Sequence, residues 1–419
     1  MSRFYIPRRY MFVAGTFLIS LFMYIDRACI STAKDPIAGD LGLSDNQMGW
    51  VLSAFALGYA LFQVPGGLMA DRFGPRRILA AIIMLWSLFT ALTGAAKAYF
   101  QILLVRFFFG AGEAGAFPGI SRAIYSWIPM RERGIVQGIN FSGTRLGAAF
   151  AMPLVAWLIH QYGWRISFLY LGMAGILFAI LWFVFFRDKP EDHPALSEQE
   201  KDHIIANRQE QDGPRTPLSG SALFGSGNMW LAMLQYFGSN FTFFFCLSWL
   251  FPHLKKTFEL DLVEAGLYAS GPLIAGALGN WFSGLLVDNI YKRGHWKASR
   301  KVPAIVGFTL MIAGLLGSLA MNNAPGAVAM LSLAIFGADM TLSPSWSFCI
   351  DIGKENAGAV SGTMNMAGNI GSFVTALAFP YLMSWTGTET TFFYVAAVLG
   401  GISILSWLRM DPEKSLIKA

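Results

Sequence analysis

The sequence predicts an all-α membrane protein. Of its 419 residues, 55% are hydrophobic and only 13% are charged, and the mean hydropathy is +0.49. A helix needs about 20 apolar residues to cross ~30 Å of hydrocarbon at ~1.5 Å per residue. Twelve such stretches occur, at approximately 10–31, 46–69, 77–97, 100–127, 134–160, 165–186, 228–254, 262–288, 302–321, 326–350, 356–384 and 391–409.

The first stretch contains an adjacent acid and base, Asp26 and Arg27, near the end of an apolar run. Charged side chains at such a depth cost roughly 2.5–3.5 kcal/mol each on insertion scales, so they should face a partner or a water-filled cavity. An alternative is that the pair marks the end of the helix and Arg27 reaches the lipid headgroups. The apolar and small residues that follow before Lys34 favour a functional site.

The distribution of Lys and Arg predicts the orientation. With a cytoplasmic N-terminus, 22 of the 31 fall in cytoplasmic segments and five on the opposite side, and the other four lie within spans. This bias, with an even number of spans, predicts that both termini are cytoplasmic. The net charge of +6 therefore reflects topology and does not indicate a nucleic-acid partner.

Glycine and cysteine usage indicates helix packing. The 44 glycines suit close contact between helices in a bilayer, where small residues let backbones approach. Three isolated cysteines within spans show no metal-ligand spacing, and no cofactor or metal site is expected. The apolar run after Arg8 and Arg9 resembles a secretory signal but lacks a convincing cleavage site, so it is expected to remain as the first helix.

The longest polar stretch, 187–227, divides the chain into two halves that repeat. The sequence Gly67-Leu-Met-Ala-Asp71 is echoed by Gly284-Leu-Leu-Val-Asp288. We therefore predict an N-terminal six-helix half at 1–186, a cytoplasmic linker at 187–227 with a short surface helix over 197–209, and a C-terminal six-helix half at 228–419. Parallel duplicated halves are typical of secondary transporters that bind substrate at the repeat interface.

The loop after the second span, Gly67-x-x-x-Asp71-Arg72-x-Gly74-x-Arg76-Arg77, resembles the loop motif of the major facilitator superfamily. In physical terms, Asp71 can receive a helix N-terminus or an arginine while the basic residues anchor the cytoplasmic face. The loop is therefore predicted to act as a latch, with Asp71 and Arg72 in a gate. Generic positive-inside charge is an alternative explanation for Arg76 and Arg77 alone.

Within that superfamily the chain resembles the anion:cation symporter family, which includes bacterial proton symporters for galactonate and hexuronates as well as sialin. The likeness covers nearly the whole chain. The segments that carry it are Tyr24-Ile-Asp26-Arg27-Ala, 55–67, Arg106 with Glu113-Ala-x-Ala-Phe117-Pro118, Ser345-Trp346-Ser347 and Met364-Asn365-Met366-Ala367-Gly368.

The resemblance implies a role for each matching residue. Asp26 and Glu113 would bind protons, and Arg27 would grip the substrate carboxylate. The sugar site would be lined by Tyr24, Tyr59, Ser343, Trp346 and Asn365. Galactonate-type members carry a glutamine where this chain has Thr144, followed here by Arg145. Thr144 and Arg145 are therefore also expected to contact the substrate, and the departure leaves the exact sugar acid open.

The spacing of Arg106 and Glu113 is consistent with one shared cavity. Seven residues along a helix leave a mismatch of only ~20° and a rise of about 10 Å, so both lie on one stripe. Glu113 and Arg106 could alternatively be a permanent structural pair, Trp346 and Tyr59 ordinary bundle aromatics, and Asn365 an interhelical hydrogen bond.

Two further charged residues lie within spans. Arg122, out of phase with Glu113, is interpreted as a gate or interface residue. Asp339 could be a third proton site, a partner of Arg145 or a structural carboxylate.

Three acids (Asp26, Glu113, Asp339) against three arginines (Arg27, Arg106, Arg145) would make a cavity nearly neutral. Protonating the acids would leave it positive and favour an anion, and a bound anion would in turn raise the proton affinity of the acids. The arginine fork suits a carboxylate, and amides, phenols and an aromatic floor suit hydroxyls.

The sequence therefore predicts a multi-pass inner-membrane proton symporter that imports an aldonate, uronate or aldarate. The protein is expected to be a monomer with no nucleic-acid partner. Alternatives are an organic-anion exchanger, a sodium-coupled carrier or a sugar-acid sensor that does not transport. A sensor is disfavoured because it would be expected to carry a long soluble output segment. An enzyme is not expected, because no metal cluster, nucleophile–base pair or phosphate loop is present.

Overall fold

A computed structural model of the chain describes residues 7–209, 218–260 and 262–416. Secondary structure in these ranges is helical. The first eight helices are α1 (Arg9–Thr32), α2 (Lys34–Leu41), α3 (Asp45–Phe73), α4 (Pro75–Ala95), α5 (Tyr99–Glu113), α6 (Ala116–Trp127), α7 (Arg133–Phe185) and α8 (Glu198–Asn207). The remaining helices are α9 (Gly220–Phe224), α10 (Gly227–Ser248), α11 (Leu250–Thr257), α12 (Leu262–Lys292), α13 (Trp296–Leu319), α14 (Ala324–Met340), α15 (Leu342–Gly353), α16 (Ala357–Thr386) and α17 (Thr390–Arg409).

The predicted all-α architecture is confirmed. Eight helical stretches of the described chain are long and apolar enough to cross a membrane by length and composition. Helix α7 covers two of the spans that the sequence predicts, and it is interrupted between them at Gly163, which has φ 74° and ψ 162°. A positive φ is a conformation that glycine adopts without steric cost. The count of twelve spans and the cytoplasmic termini stay predictions.

The chain forms two compact units. Unit 1 comprises residues 1–130, 143–215 and 353–362, and unit 2 comprises residues 131–142, 216–352 and 363–419. The halves predicted at 1–186 and 228–419 stay a prediction, since the units assign short segments of each half differently.

In unit 1, two glycines bring α3 and α5 into backbone contact. A Cβ at Gly58 would collide with the carbonyl oxygen of Phe107, and a Cβ at Gly110 would collide with the carbonyl oxygen of Phe55. Larger residues at either position would force the helices apart. The contact fixes the register of α3 against the helix that carries Arg106 and Glu113.

The start of the predicted linker packs on unit 1. Glu200 accepts hydrogen bonds from the backbone N–H groups of Arg8 at 3.0 Å and Arg9 at 2.9 Å, so it caps the N-terminal end of α1. Ile204 on the same helix is fully buried. The helix predicted over 197–209 is therefore α8, and the predicted positions Ser197, Arg208 and Gln209 lie outside it.

Glu191 and Arg208 form an ion pair within this segment, with Glu191 Oε1 and Arg208 Nη2 2.5 Å apart. Burial opposes ionisation of the Glu191 carboxyl, but the hydrogen bond from Arg208 holds its pKa below the usual value.

Unit 2 is tied together by buried polar groups as well as apolar packing. The amide oxygen of Gln235 on α10 accepts hydrogen bonds from Ser345 Oγ and Trp407 Nε1, each at 3.2 Å. Asp288 at the end of α12 accepts from the backbone N–H groups of Gly134 at 2.8 Å and Ile135 at 2.9 Å. That carboxylate therefore caps the first turn of α7.

Candidate functional site

The centre of the site in unit 1 is an ion pair between α1 and α5. Arg27 Nε donates to Glu113 Oε1 at 2.6 Å, and the exposed fractions of the two side chains are 19% and 0%. Burial of this kind requires a partner for each charge, because an isolated ion would cost several kcal/mol. The structure therefore joins two of the residues that the sequence singles out.

An aromatic cage surrounds the Arg27 guanidinium. Its Cζ atom lies 4.4 Å from the ring centroid of Tyr59, 4.8 Å from that of Tyr24 and 5.0 Å from that of Phe55. Tyr24 precedes Arg27 by three residues and shares its face of α1, and Phe55 and Tyr59 are four residues apart on α3. Cation–π attraction to three rings holds the guanidinium where it can also meet an anion.

Asp26 and Arg106 complete this charged cluster, which we call the Arg27 cluster (Asp26, Arg27, Arg106 and Glu113). The exposed fractions of Asp26 and Arg106 are 4% and 3%. Arg106 interacts electrostatically with both Glu113 and Asp26. The cluster thus contains two acids and two bases within the apolar interior of unit 1.

Some buried polar atoms of the Arg27 cluster make no hydrogen bond. Arg27 Nη2, Arg106 Nε and Glu113 Oε2 are buried without a hydrogen-bond partner. Buried polar atoms are satisfied in most native structures, so each exception calls for an explanation. Two unused donors suit an incoming anion, and an unused carboxylate oxygen suits a proton.

Thr144 and Arg145 lie on α7, beside the face that packs on α1. A Cβ at Gly143 would lie 2.9 Å from the carbonyl oxygen of Phe17, and one at Gly147 would lie 3.1 Å from Tyr24 Cβ. These glycines form a packing surface, as expected. Thr144 is buried and Arg145 is partly buried.

The predicted gate residues form a second cluster in unit 1. Asp71 accepts hydrogen bonds from the backbone N–H groups of Gly358 at 2.9 Å and Ala359 at 2.7 Å, in the first turn of α16. Arg122 Nε lies 4.0 Å from Asp71 Oδ1, whereas Arg72 is exposed. Asp71 thus receives both a helix N-terminus and an arginine, the two partners that the sequence suggests.

Four predicted residues lie in unit 2, and all are buried. Trp346 Nε1 donates to the Tyr236 hydroxyl at 2.9 Å. Ser343 Oγ donates to the carbonyl oxygen of Gly134 at 2.7 Å, so its proton is engaged in helix packing.

The other two, Asp339 and Asn365, are held by neighbouring amides. Asp339 Oδ2 accepts from Asn280 Nδ2 at 3.3 Å. The backbone carbonyl of Asn365 accepts from Asn369 Nδ2 at 2.8 Å. Asn365 lies on α16 and Asp339 on α14.

Sequence reasoning assigned no role to two aromatic residues that touch these groups. Phe55 lies in the quoted segment 55–67, and its spacing of four from Tyr59 is a signal for a shared face. Tyr236 on α10 holds the Trp346 indole, but no pattern in the sequence pairs residues on such distant helices.

The chain matches a known protein family over most of its length. The Major Facilitator Superfamily model matches residues 16–376, and the chain belongs to that superfamily. The chain is 34% identical over 409 residues to the probable sulfoacetate transporter SauU of Cupriavidus necator, covering 97% of this chain and 95% of that protein. It is 32% identical over 429 residues to the probable galactarate/D-glucarate transporter GudP of Bacillus subtilis, covering 98% and 93%.

The solved structures agree on the fold. The transporter FucP in the outward conformation matches with a TM-score of 0.74 at 14% identity, covering 95% of this chain and 98% of that one. The resemblance to the anion:cation symporter family is confirmed by the relatives. The protein is a multi-pass inner-membrane transporter and not an enzyme, as the sequence predicts.

Proposed function

We propose that the protein imports a sugar acid (an aldonate, uronate or aldarate) or a related organic anion together with protons, by alternating access. The observation that carries the proposal is the buried Arg27–Glu113 ion pair at 2.6 Å, with a donor on Arg27 and an acceptor on Glu113 left over. An ion pair that can open to admit one anion and one proton is the minimum that symport of an anion requires.

The chemistry of coupling follows from that pair. When Glu113 is protonated it no longer neutralises Arg27, so the guanidinium fork becomes available to a substrate carboxylate. The bound carboxylate then raises the proton affinity of Glu113 and Asp26, because like charges resist ionisation together. Binding of the anion and binding of the proton therefore favour each other, and release of the two is linked in the same way.

Neutral groups would recognise the hydroxyls of the substrate. Tyr24 and Tyr59 belong to the Arg27 cage, and Thr144, Ser343, Trp346 and Asn365 are the further predicted contacts. Arg145 would meet a second negative group. Support comes from two relatives, a probable sulfoacetate transporter and a probable galactarate/D-glucarate transporter, whose named substrates are dianions.

The gate is assigned to Asp71, Arg72 and Arg122, with Arg106 and Asp339 relaying charge. A carboxylate that caps a helix N-terminus contributes ~0.3–1 kcal/mol or more when partly buried, which suits a contact that opens in every cycle. The proposal includes twelve spans, two halves at 1–186 and 228–419 joined by 187–227, cytoplasmic termini and a monomer.

The experiment is uptake into proteoliposomes containing the purified protein. A panel of aldonates, uronates, aldarates and sulfoacetate is first screened for thermal stabilisation, since a ligand of the folded state raises the melting temperature. The best ligand should accumulate under an inward proton gradient, and a protonophore should abolish accumulation. Uptake that is unchanged with the proton gradient collapsed, or that requires sodium, would reject proton symport.

A further inference from the structure

One aromatic ring in unit 1 serves two buried cations. The centroid of Phe55 lies 5.0 Å from Arg27 Cζ and 5.3 Å from Arg106 Cζ. Both distances are within the ~6 Å range of a cation–π contact. Arg27 comes from α1 and Arg106 from α5, so a side chain on α3 connects the two arginines of the cluster.

The ring itself is fixed on several sides. It stacks on Tyr59, with centroids 5.5 Å apart and planes at 28°, and contacts Phe109 with centroids also 5.5 Å apart. Its backbone carbonyl packs against Gly110, where no Cβ could be accommodated. Phe55 therefore has little freedom to move along or away from α5.

We propose that Phe55 is a positioning residue that keeps Arg27 ready for the substrate carboxylate when Glu113 releases it. This inference rests on the proposed function. Without Phe55, a guanidinium freed from Glu113 would be free to turn toward Asp26, and the repulsion between Arg27 and Arg106 would be less well compensated. The negative faces of the ring attract both cations without forming an ion pair that the substrate would have to break.

The test compares five variants of position 55 with one matched control. Phe55→Leu removes the ring, and Phe55→Tyr restores it. Phenylalanine analogues with one, two or three ring fluorines keep the shape and progressively weaken the cation–π attraction. The control is Phe108→Leu, since Phe108 is 45% exposed and contacts the rings of Phe89 and Phe107.

Two readouts are used. The first is the KM and maximal rate of anion uptake. We expect Phe55→Leu to raise KM by about 2- to 30-fold, the range of one cation–π contact, with a smaller effect on the maximal rate. Stepwise fluorination should raise KM stepwise, and Phe55→Tyr should restore it. The second readout is the rate at which phenylglyoxal modifies Arg27, followed by mass spectrometry, which requires no substrate.

Labelling separates failure of this inference from failure of the proposed function. Faster labelling of Arg27 in Phe55→Leu than in Phe108→Leu supports positioning, even if no anion in the panel is transported. Equal labelling in these two variants overturns it. If transport is measurable, a KM that fluorination does not change also overturns it, because a purely steric role for the ring would survive fluorination.

Discussion

Asp351 of unit 2 and Glu113 of unit 1 are both buried acids, and arginine holds them in different ways. Asp351 on α15 accepts hydrogen bonds from Arg133 Nη1 at 2.7 Å, Arg300 Nε at 2.7 Å and Trp296 Nε1 at 3.1 Å. All three charged side chains have an exposed fraction of 0%. Both oxygens of this carboxylate are engaged.

Glu113 is also fully buried, but it accepts its hydrogen bond from Arg27 on one oxygen while the other has no partner. A saturated carboxylate resists protonation and displacement, since either would cost several charge-assisted hydrogen bonds. A carboxylate with one oxygen that makes no hydrogen bond can take up a proton or change its partner more easily. From this comparison we propose a structural role for Asp351 and a role in transport for Glu113.

The largest effect is expected from Asp351→Asn. This change removes the carboxylate charge that two buried guanidinium groups share and should destabilise the protein by roughly 3–5 kcal/mol. The measurement is the thermal unfolding midpoint in detergent, with the yield of monodisperse protein. As a control, Glu198→Gln removes one carboxylate that is 82% exposed and pairs with Lys201, a change worth about 0–1 kcal/mol. Equal stability of the two variants would contradict the structural role.

Glu113→Gln tests whether the acid of unit 1 acts in proton-coupled transport. It mimics the protonated acid, so the protein should fold with a near-normal unfolding midpoint and should still exchange substrate between equal concentrations. Accumulation driven by a proton gradient should be lost, because no proton leaves the amide. Exchange and accumulation are measured in the same proteoliposomes. Loss of both, with a large fall in the unfolding midpoint, would place Glu113 with Asp351 among the structural acids.

Arg27→Lys tests whether the arginine of the working pair binds the substrate. The ammonium keeps the charge but loses the fork, so affinity should fall by ~1.5–3 kcal/mol, the range of a charge-assisted hydrogen bond. Isothermal calorimetry with the best ligand of the panel measures this loss. Arg131→Lys is the control, because Arg131 is 41% exposed and contacts Glu132 at 3.9 Å. Near-normal binding by Arg27→Lys would move the carboxylate contact elsewhere.

The sequence predicts the members of the Arg27 cluster because a charge in an apolar span is conspicuous and costly. It does not predict their pairing. Spacing on α5 places Arg106 and Glu113 on one stripe, yet the hydrogen bond to Glu113 comes from Arg27 on α1. Which arginine reaches the acid depends on how α1 and α5 rotate and pack, and local periodicity carries no information about that.

The buried contacts of Asp351 with Arg133 and Arg300 could not be predicted for a different reason. Arg133 begins α7 and Arg300 is the fifth residue of α13, so the count of Lys and Arg places both among the cytoplasmic charges, although both are fully buried. A count of positive residues treats every Lys or Arg near the end of a span alike. It cannot separate a side chain that faces water from one that turns inward to a carboxylate, and that choice belongs to tertiary packing.

The smallest effects are expected for Arg145 and Asp339, where the alternatives are a structural ion pair and a contact between Arg145 and the substrate. If Asp339 is the partner of Arg145, the two form a structural ion pair. Arg145→Ala should then damage folding, and adding Asp339→Ala should recover part of the loss, a coupling that a double-mutant cycle measures. If Arg145 instead meets the substrate, Arg145→Ala should fold normally.

We favour the substrate contact, because Arg145 is only partly buried and a partly exposed guanidinium can be reached by an incoming anion. Arg145→Ala should then lower the preference for an aldarate over an aldonate by about tenfold, the low end for a charge-assisted hydrogen bond. Competition of both anions for uptake measures the preference. A well-folded Arg145→Ala protein with unchanged selectivity would reject the contact, since the second carboxylate of an aldarate would then have to be recognised by another residue.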